Sequence, residues 1–255
     1  MRANPLAVAF LAVLALILGG CSTQKLKDEP IVLDLAAPVA VDVQSFNGDV
    51  FIEAGSDFEV ATVQVVRRAK HGYMRYEEAE ASLEQISYTV GLAPGELGQI
   101  LQVRTATEAL EPHFQEADVY ITLPEVDGVF VRTTNGRVEV RGVEGRIDVA
   151  TTNSDIRILS NRPLRRPVTA VNRNGDILYR VRAESTGEFD CETVNGQVVT
   201  HVEYGDFLVA PTNDQDTVRA NLNNGSNRIV LRTVDGDIVV SVVENPEEVG
   251  WLVRE

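Results

Sequence analysis

The stretch Thr133-Thr134-Asn135-Gly136-Arg137-Val138-Glu139-Val140 decides the fold, because the chain keeps returning to it. Asn-Gly, or a near variant, recurs at Asn47-Gly48, Asn153-Ser154, Asn174-Gly175, Asn195-Gly196, Asn224-Gly225 and Asp235-Gly236. Lesser turns stand between them at Glu144-Gly145, Thr186-Gly187 and Tyr204-Gly205. Asn and Gly suit corners because both tolerate a positive φ. From residue 136 to residue 236 a turn falls about every ten residues, with gaps near Pro163 and Asp214.

Aligning the segments on the turn glycine sharpens the pattern. Two residues after it stand Val50, Val138, Ile156, Ile177, Val198 and Ile238, and four after it Ile52, Val140, Ile158, Tyr179, Thr200 and Val240. Five before it stand Val43, Val131, Val149, Ala170, Cys191, Ala220 and Leu231; three before it, Ser45, Thr133, Thr151, Thr193 and Thr233. The intervening positions are mostly polar: Asp49, Arg137, Asp155, Asp176, Gln197 and Asp237. Alternation with a period of two marks strands with one buried face.

Such spacing fits an antiparallel β-sandwich or a solenoid in which like positions of successive coils stack. The shared Thr-x-Asn-Gly phrase favours the solenoid, because stacked coils put like residues over like and hairpins have no need of that. The expected fold is all-β, a β-helix-like stack of short strands with two ten-residue units per coil. Asn side chains at one corner would bond up the stack as amide ladders do. Residues 34–255 form one β-repeat domain on this reading, with regular repeats over 131–243. The N-terminal part, 34–130, holds one small helix over 76–87, with Ala79, Leu83 and Ile86 on one face, which caps an open end. The tail 244–255, with Pro246 and Trp251, covers the other end.

Ahead of the domain, residues 5–18 are apolar, follow Arg2 and end in small residues, as a cleaved export signal does. The run is short for a membrane span. Leu18-Gly19-Gly20-Cys21 resembles the bacterial lipobox. That resemblance implies a signal peptide over 1–20, removal of it, and diacylglycerol plus an amide-linked acyl chain such as palmitate on Cys21. Residues 21–33 then read as the acylated cysteine and a flexible spacer. Ser22, where a retained inner-membrane lipoprotein would carry aspartate, favours the outer membrane in an organism that has one.

The net charge is −15; residues 1–20 contain one base and no acid, so the chain from residue 21 carries −16. This excess of acid argues against nucleic acid and against adsorption on anionic headgroups, leaving the lipid as the membrane attachment. With Cys21 acylated, Cys191 has no disulfide partner.

Residues 118–140, DVYITLPEVDGVFVRTTNGRVEV, resemble the core phrase of the bacterial DUF4097 (putative-adhesin) family. There a strand ends in Leu-Pro, a second strand follows, and Thr-x-Asn-Gly opens the repeats; Leu123-Pro124, Thr133 and Asn135-Gly136 match, and Asp235-Gly236-Asp237-Ile238 repeats the ending. The resemblance covers about residues 35–243 and implies a β-helix-like stack without catalytic residues. Asn153-Ser154 and the segment 164–168 depart from the pattern.

His71, His113 and His201 lie in no metal-ligand spacing, and no nucleophile elbow, phosphate loop or dinucleotide fingerprint occurs. Asp49, Asp176 and Asp237 repeat after the turn, but Arg137 and Gln197 at equivalent positions make a solvated polar face the better reading than calcium. Asp190, Glu192 and Glu203 flank one region, and Arg162, Arg165 and Arg166 form a basic cluster. Cys191 replaces an apolar residue of the repeat and reads as a buried hydrophobe. The expectation is a lipid-anchored, non-catalytic envelope protein, without cofactor or metal, for adhesion or contact with protein or glycan. The alternatives are a polysaccharide-acting β-helix enzyme and an envelope-stress regulator.

Overall fold

The computed structural model describes residues 22–35, 39–72, 75–95, 98–211 and 214–249. Cys21, the signal segment 1–20 and Trp251 lie outside them. Twenty strands and one α-helix occur among the described residues, in two sheets that face each other across one core. Across the first sheet lie β1 (Ser22–Lys27), β5 (Ala61–His71), β8 (Gln115–Leu123), β4 (Val50–Ala54), β10 (Val138–Arg141), β12 (Ile156–Ser160), β14 (Ile177–Val181), β20 (Ile238–Val242) and β16 (Val198–Val202); β2 (Ile31–Leu33) also pairs with β5. Across the second lie β17 (Phe207–Val209), β18 (Thr217–Leu222), β15 (Gly187–Glu192), β19 (Arg228–Arg232), β13 (Val168–Val171), β11 (Ile147–Ala150), β9 (Val126–Arg132), β3 (Val39–Gln44), β7 (Gln99–Thr107) and β6 (Ile86–Pro94).

From β8 to β16 and from β15 to β7 every neighbouring pair is parallel, so the stack is a solenoid and not a sandwich of hairpins. The sequence columns are spatial columns. Val50, Val138, Ile156, Ile177, Ile238 and Val198 are successive register partners in the first sheet. Val43, Val131, Val149, Ala170, Leu231 and Cys191 do the same in the second. Nearly all are fully buried, each worth roughly 1.5–3 kcal/mol for a Val- or Ile-sized side chain.

The coils do not stack in chain order throughout. The coil of β3 and β4 sits between that of β7 and β8 and that of β9 and β10. The coil of β19 and β20 sits between that of β13 and β14 and that of β15 and β16. Each inserted coil is paired on both sides, which holds the ends of the repeat region inside the ladders, away from the fraying edges. Ala220 falls outside the inner column because β18 runs antiparallel to β15 and β17; Asn224-Gly225 therefore links two strands of one sheet.

Three further expectations need correction. Residues 22–27 are not a flexible spacer: β1 pairs antiparallel with β5, Ser22 opposite His71, and Arg67 grips Asp28 at 2.7 Å. The helix, α1 (Tyr76–Glu84), is shorter than 76–87, and Ile86 opens β6. Ala79 and Leu83 pack with Val65, Ala69, Ile86 and Ala117 in a small second core beside β5. The described part of the tail does not cover the far end. Arg180 donates to the carbonyls of Pro246 (2.9 Å) and Glu248 (3.3 Å), and Glu247 accepts from the Asn161 amide (3.0 Å), so the described tail lies beside β12 and β14 of the first sheet.

Candidate functional site

Residues with conspicuous chemistry concentrate at the Thr-x-Asn-Gly corner, where most are engaged with the neighbouring coil and the buried Thr133 hydroxyl, without a partner, is an exception. Asn135 Nδ2 donates to Asn47 Oδ1 (2.5 Å), Asn153 Nδ2 to Asn135 Oδ1 (2.6 Å), Asn174 Nδ2 to Asn153 Oδ1 (2.7 Å) and Asn195 Nδ2 to Asp235 Oδ1 (2.7 Å). Asn47 ends the ladder by donating to the carbonyls of Pro112 and Gln115. The hydroxyls of Thr151, Thr233 and Thr193 donate to the carbonyls of Gly136, Gly175 and Gly236 one coil away. Asn172 takes the threonine's place and donates to the Ser154 carbonyl at 2.7 Å.

The repeating aspartates form a third ladder. Asp49 Oδ1 accepts the Arg137 amide (2.8 Å), Asp155 Oδ1 that of Asp176 (3.0 Å), Asp176 Oδ1 that of Asp237 (2.7 Å) and Asp237 Oδ1 that of Gln197 (2.8 Å). These carboxylates serve the backbone of the next coil, which explains their repetition without a cation. No cluster of three or more His, Cys, Asp or Glu suited to a metal occurs among the described residues.

The other candidates are dispersed. Asp190 faces Arg232 (2.6 Å), Arg228 (3.6 Å) and Arg219 (3.7 Å), and the Arg232 hydrogen bond holds its carboxyl below the usual carboxylate range. Glu192 also meets Arg232, at 3.4 Å, whereas Glu203 pairs with His201 at 2.9 Å. A glycosidase needs an acid held protonated opposite a second carboxylate, and Asp190 is shifted the other way. His71 stacks on Phe114 at 4.9 Å between ring centres, and His113 lies against the same ring. Cys191 is buried and free, and burial pushes its thiol up to about 12, the opposite of an activated nucleophile.

Arg162 pairs with Glu144 at 3.3 Å, while Arg165 and Arg166 line a shallow cavity with Glu144 and Pro163. A second cavity, about 430 Å³, has Ala40, Ile100, Phe130 and Pro167 as its apolar wall and Arg146 and Arg166 at its rim. Arg146 lies over the Phe130 ring at 6.0 Å and 3.5 Å from Asp148. Of the cluster seen in sequence, Arg166 thus lines both concavities, Arg165 one of them and Arg162 neither.

One feature passed unnoticed in sequence. Among the described residues β16, Val198–Val202, closes the first sheet with no strand beyond it, only the Gln215 carbonyl meeting its Val198 N–H, and all its residues are at least partly exposed. The signal was there: VVTHV is an uncharged, β-favouring run without glycine or proline.

The Toastrack DUF4097 family model matches residues 39–241, which spans the stack from β3 almost to the end of β20. This chain belongs to that family. A crystal structure from Clostridium sporogenes, described as a "putative cell adhesion protein", superposes with a TM-score of 0.57 at 10% identity, covering 86% of this chain and 100% of that one. A "putative adhesin" from Bacteroides fragilis aligns at 11% identity over 86% of this chain and 97% of its own, with a TM-score of 0.30. No curated protein matches. The Clostridium likeness shows a shared fold.

Proposed function

We propose that this Toastrack protein is a lipid-anchored, non-catalytic interaction module of the bacterial cell envelope, on the outer membrane where the organism has one, and that it makes adhesive contacts with protein or glycan. The observation that carries the non-catalytic reading is the fate of the repeated polar residues. Most of the Asn, Thr and Asp residues at the corner are consumed in bonds between coils, and Asp190, Glu192 and Glu203 are each matched to a base. A rod built this way offers long rigid faces, which suit extended partners.

Anchoring rests on Leu18-Gly19-Gly20-Cys21. Since Ser22 is already paired with His71 at the end strand of the first sheet, a lipid on Cys21 would hold that end of the rod close to the bilayer. Two or more acyl chains hold firmly where one is marginal.

The experiment is mass spectrometry of the N-terminal peptide, with fractionation of cells producing the native chain and Cys21→Ser. The expected result is an acylated N-terminal cysteine, with the native chain in membranes and the variant released or unprocessed. An unmodified, uncleaved start overturns the anchor. Incubation with a panel of envelope polysaccharides tests the other half: a chain-dependent product overturns the non-catalytic reading.

A further inference from the structure

Along the outer face of the second sheet, charged side chains are tied into ion pairs: Asp42 with Arg104 (2.5 Å), Asp148 with Arg132 (2.8 Å) and Asp190 with Arg232 (2.6 Å). The pairing stops beside the irregular corner. There Ala40, Ile100 and Phe130 stand together on the same face, all half-buried, as the apolar wall of the cavity of about 430 Å³. Ala40 is the register partner of Ile100, and Phe130 lies on the strand at the other side of β3. An apolar wall with a few convergent polar groups, in a concavity of this size, is the ordinary form of a small-molecule site.

The cavity is elongated and its two ends are unlike. Its lining follows the order of the strands along the rod: Arg166 just before β13, Arg146 just before β11, Phe130 on β9, Ala40 on β3 and Ile100 on β7. Four strand spacings separate the first from the last, roughly 19 Å at about 4.8 Å each. The basic end is weakly engaged. Among the described residues the Arg166 guanidinium makes no ion pair or hydrogen bond, although the backbone carbonyl of that residue accepts from Asn227 at 3.3 Å. Arg146 reaches Asp148 at 3.5 Å, but Arg132 holds that carboxylate more closely, at 2.8 Å. The Phe130 ring, 6.0 Å away, steadies the Arg146 guanidinium beside the wall. Asp127 is the one acid in the lining, so two cations and one anion leave the site with a net charge of +1 in a chain that carries −15.

We propose that this trough binds a long-chain carboxylate, with the head group on Arg146 and Arg166 and the hydrocarbon chain along Phe130, Ala40 and Ile100. A planar guanidinium presents two parallel donors that match the two oxygens of a carboxylate. Covering the wall with a hydrocarbon chain removes apolar surface from water on both sides, which drives the association. The separation of charge from apolar wall selects an amphiphile over an acidic glycan. A glycan repeats its hydroxyls and charges along its length, and here they would lie against Phe130, Ala40 and Ile100. Asp127, exposed on β9, opposes an anion and lowers the affinity below what two arginines alone would give. The site lies in the stack itself and requires neither the anchor on Cys21 nor an adhesive partner.

The test is photolabelling of membranes from cells that produce the full chain, using hexadecanoate with a diazirine in its chain, and the methyl ester of that probe as the uncharged control. The expected result is labelling on the strands of Phe130, Ala40 or Ile100, located by mass spectrometry and displaced by unmodified hexadecanoate, roughly five-fold or more above the ester. Arg146→Gln combined with Arg166→Gln should lower it roughly ten-fold. Both arginines are exposed, so the exchange leaves the core untouched. Asp127→Asn should raise labelling about two-fold, a gain that damage to the fold does not produce. Equal labelling by acid and ester, labelling elsewhere on the chain, or indifference to the arginine exchange overturns the proposal, and so does a loss of labelling with Asp127→Asn. Displacement of the probe by an oligouronate more readily than by hexadecanoate also overturns it, in favour of an acidic glycan in the same trough.

Discussion

At one corner of the stack six coils turn alike; at the other, no two turn by the same sequence. Between β3 and β4, β9 and β10, β11 and β12, β13 and β14, β15 and β16, and β19 and β20, five residues make each turn. The opposite corner uses residues 142–146, 161–167 and 182–186 for successive coils. The difference lies in which residues the hydrogen bonds join. At the regular corner the same positions bond one another from coil to coil, Asn to Asn and Asp to the following backbone amide, so most coils carry the same residue there. At the irregular corner the bonds join unlike residues: Leu164, fully buried, has its N–H held by the Ser185 hydroxyl of the next coil at 3.0 Å, and Ser160 closes on Arg162 within its own turn. One corner is repetitive because it is a crystal-like array; the other is a set of individual solutions to chain reversal.

The harshest way to break this contrast is to spoil one unit of the array. Gly136 has φ +148°, and a Cβ built there lies 1.9 Å from the Gly48 carbonyl oxygen in the next coil. Neither the backbone conformation nor the spacing can yield without opening the ladder on both sides. Gly136→Val is expected to cost about 3 kcal/mol or more, read as a large fall in the urea midpoint or failure to fold. Arg165→Ala at the irregular corner is expected to stay within about 0.5 kcal/mol. Equal effects at the two corners would remove the distinction.

The same contrast explains what was legible in the sequence. The columns through Val138 and Val131 could be read because a parallel in-register stack copies its pattern along the chain. The order of the coils could not. A coil inserted between two others, as β19 and β20 are, presents the same Thr-Val-Asp-Gly-Asp-Ile phrase that it would present at the end. Residues 22–27 read as a spacer because their polarity matches their place on a sheet edge, where Lys25 and Lys27 are solvated. Cys191 was read correctly as a buried apolar substitute, since it shares a column with Leu231. The β16 edge was missed because only the surroundings show that no strand lies beyond it.

A milder change should sharpen the array. Ser154 stands where the other turns have glycine and adopts φ +140°, a region costly for any residue with a Cβ. The family phrase is thus met in conformation but not in residue type. Ser154→Gly should remove that strain and stabilise the protein by about 1 kcal/mol, a rise in urea midpoint at constant slope. An unchanged or lower midpoint would mean that the Ser154 side chain compensates through bonds that glycine cannot make.

The smallest expected effect sits at the one break in the amide ladder. Each ladder donor points toward Asn47, so every rung must both donate and accept. Asp235 accepts from Asn195 at 2.7 Å, but an ionised carboxylate has no proton to pass to Asn174, its backbone neighbour in the array. That step therefore has no side-chain donor, and the Asp235 carboxylate sits beside an amide that already gives its proton to Asn153. Asp235→Asn supplies the missing donor at nearly the same volume and exchanges a charge-assisted bond from Asn195 for a neutral one. The gain from relieved repulsion and a new Asn–Asn bond exceeds that loss on a solvated corner, where the charge is screened, by about 0.5 kcal/mol. The gain should shrink as salt is raised, because salt already weakens the repulsion in the native chain. A lower midpoint, or a gain that grows with salt, would show that Asp235 is held there for its charge, and that the ladder tolerates a gap which the uniform-array view says should cost stability.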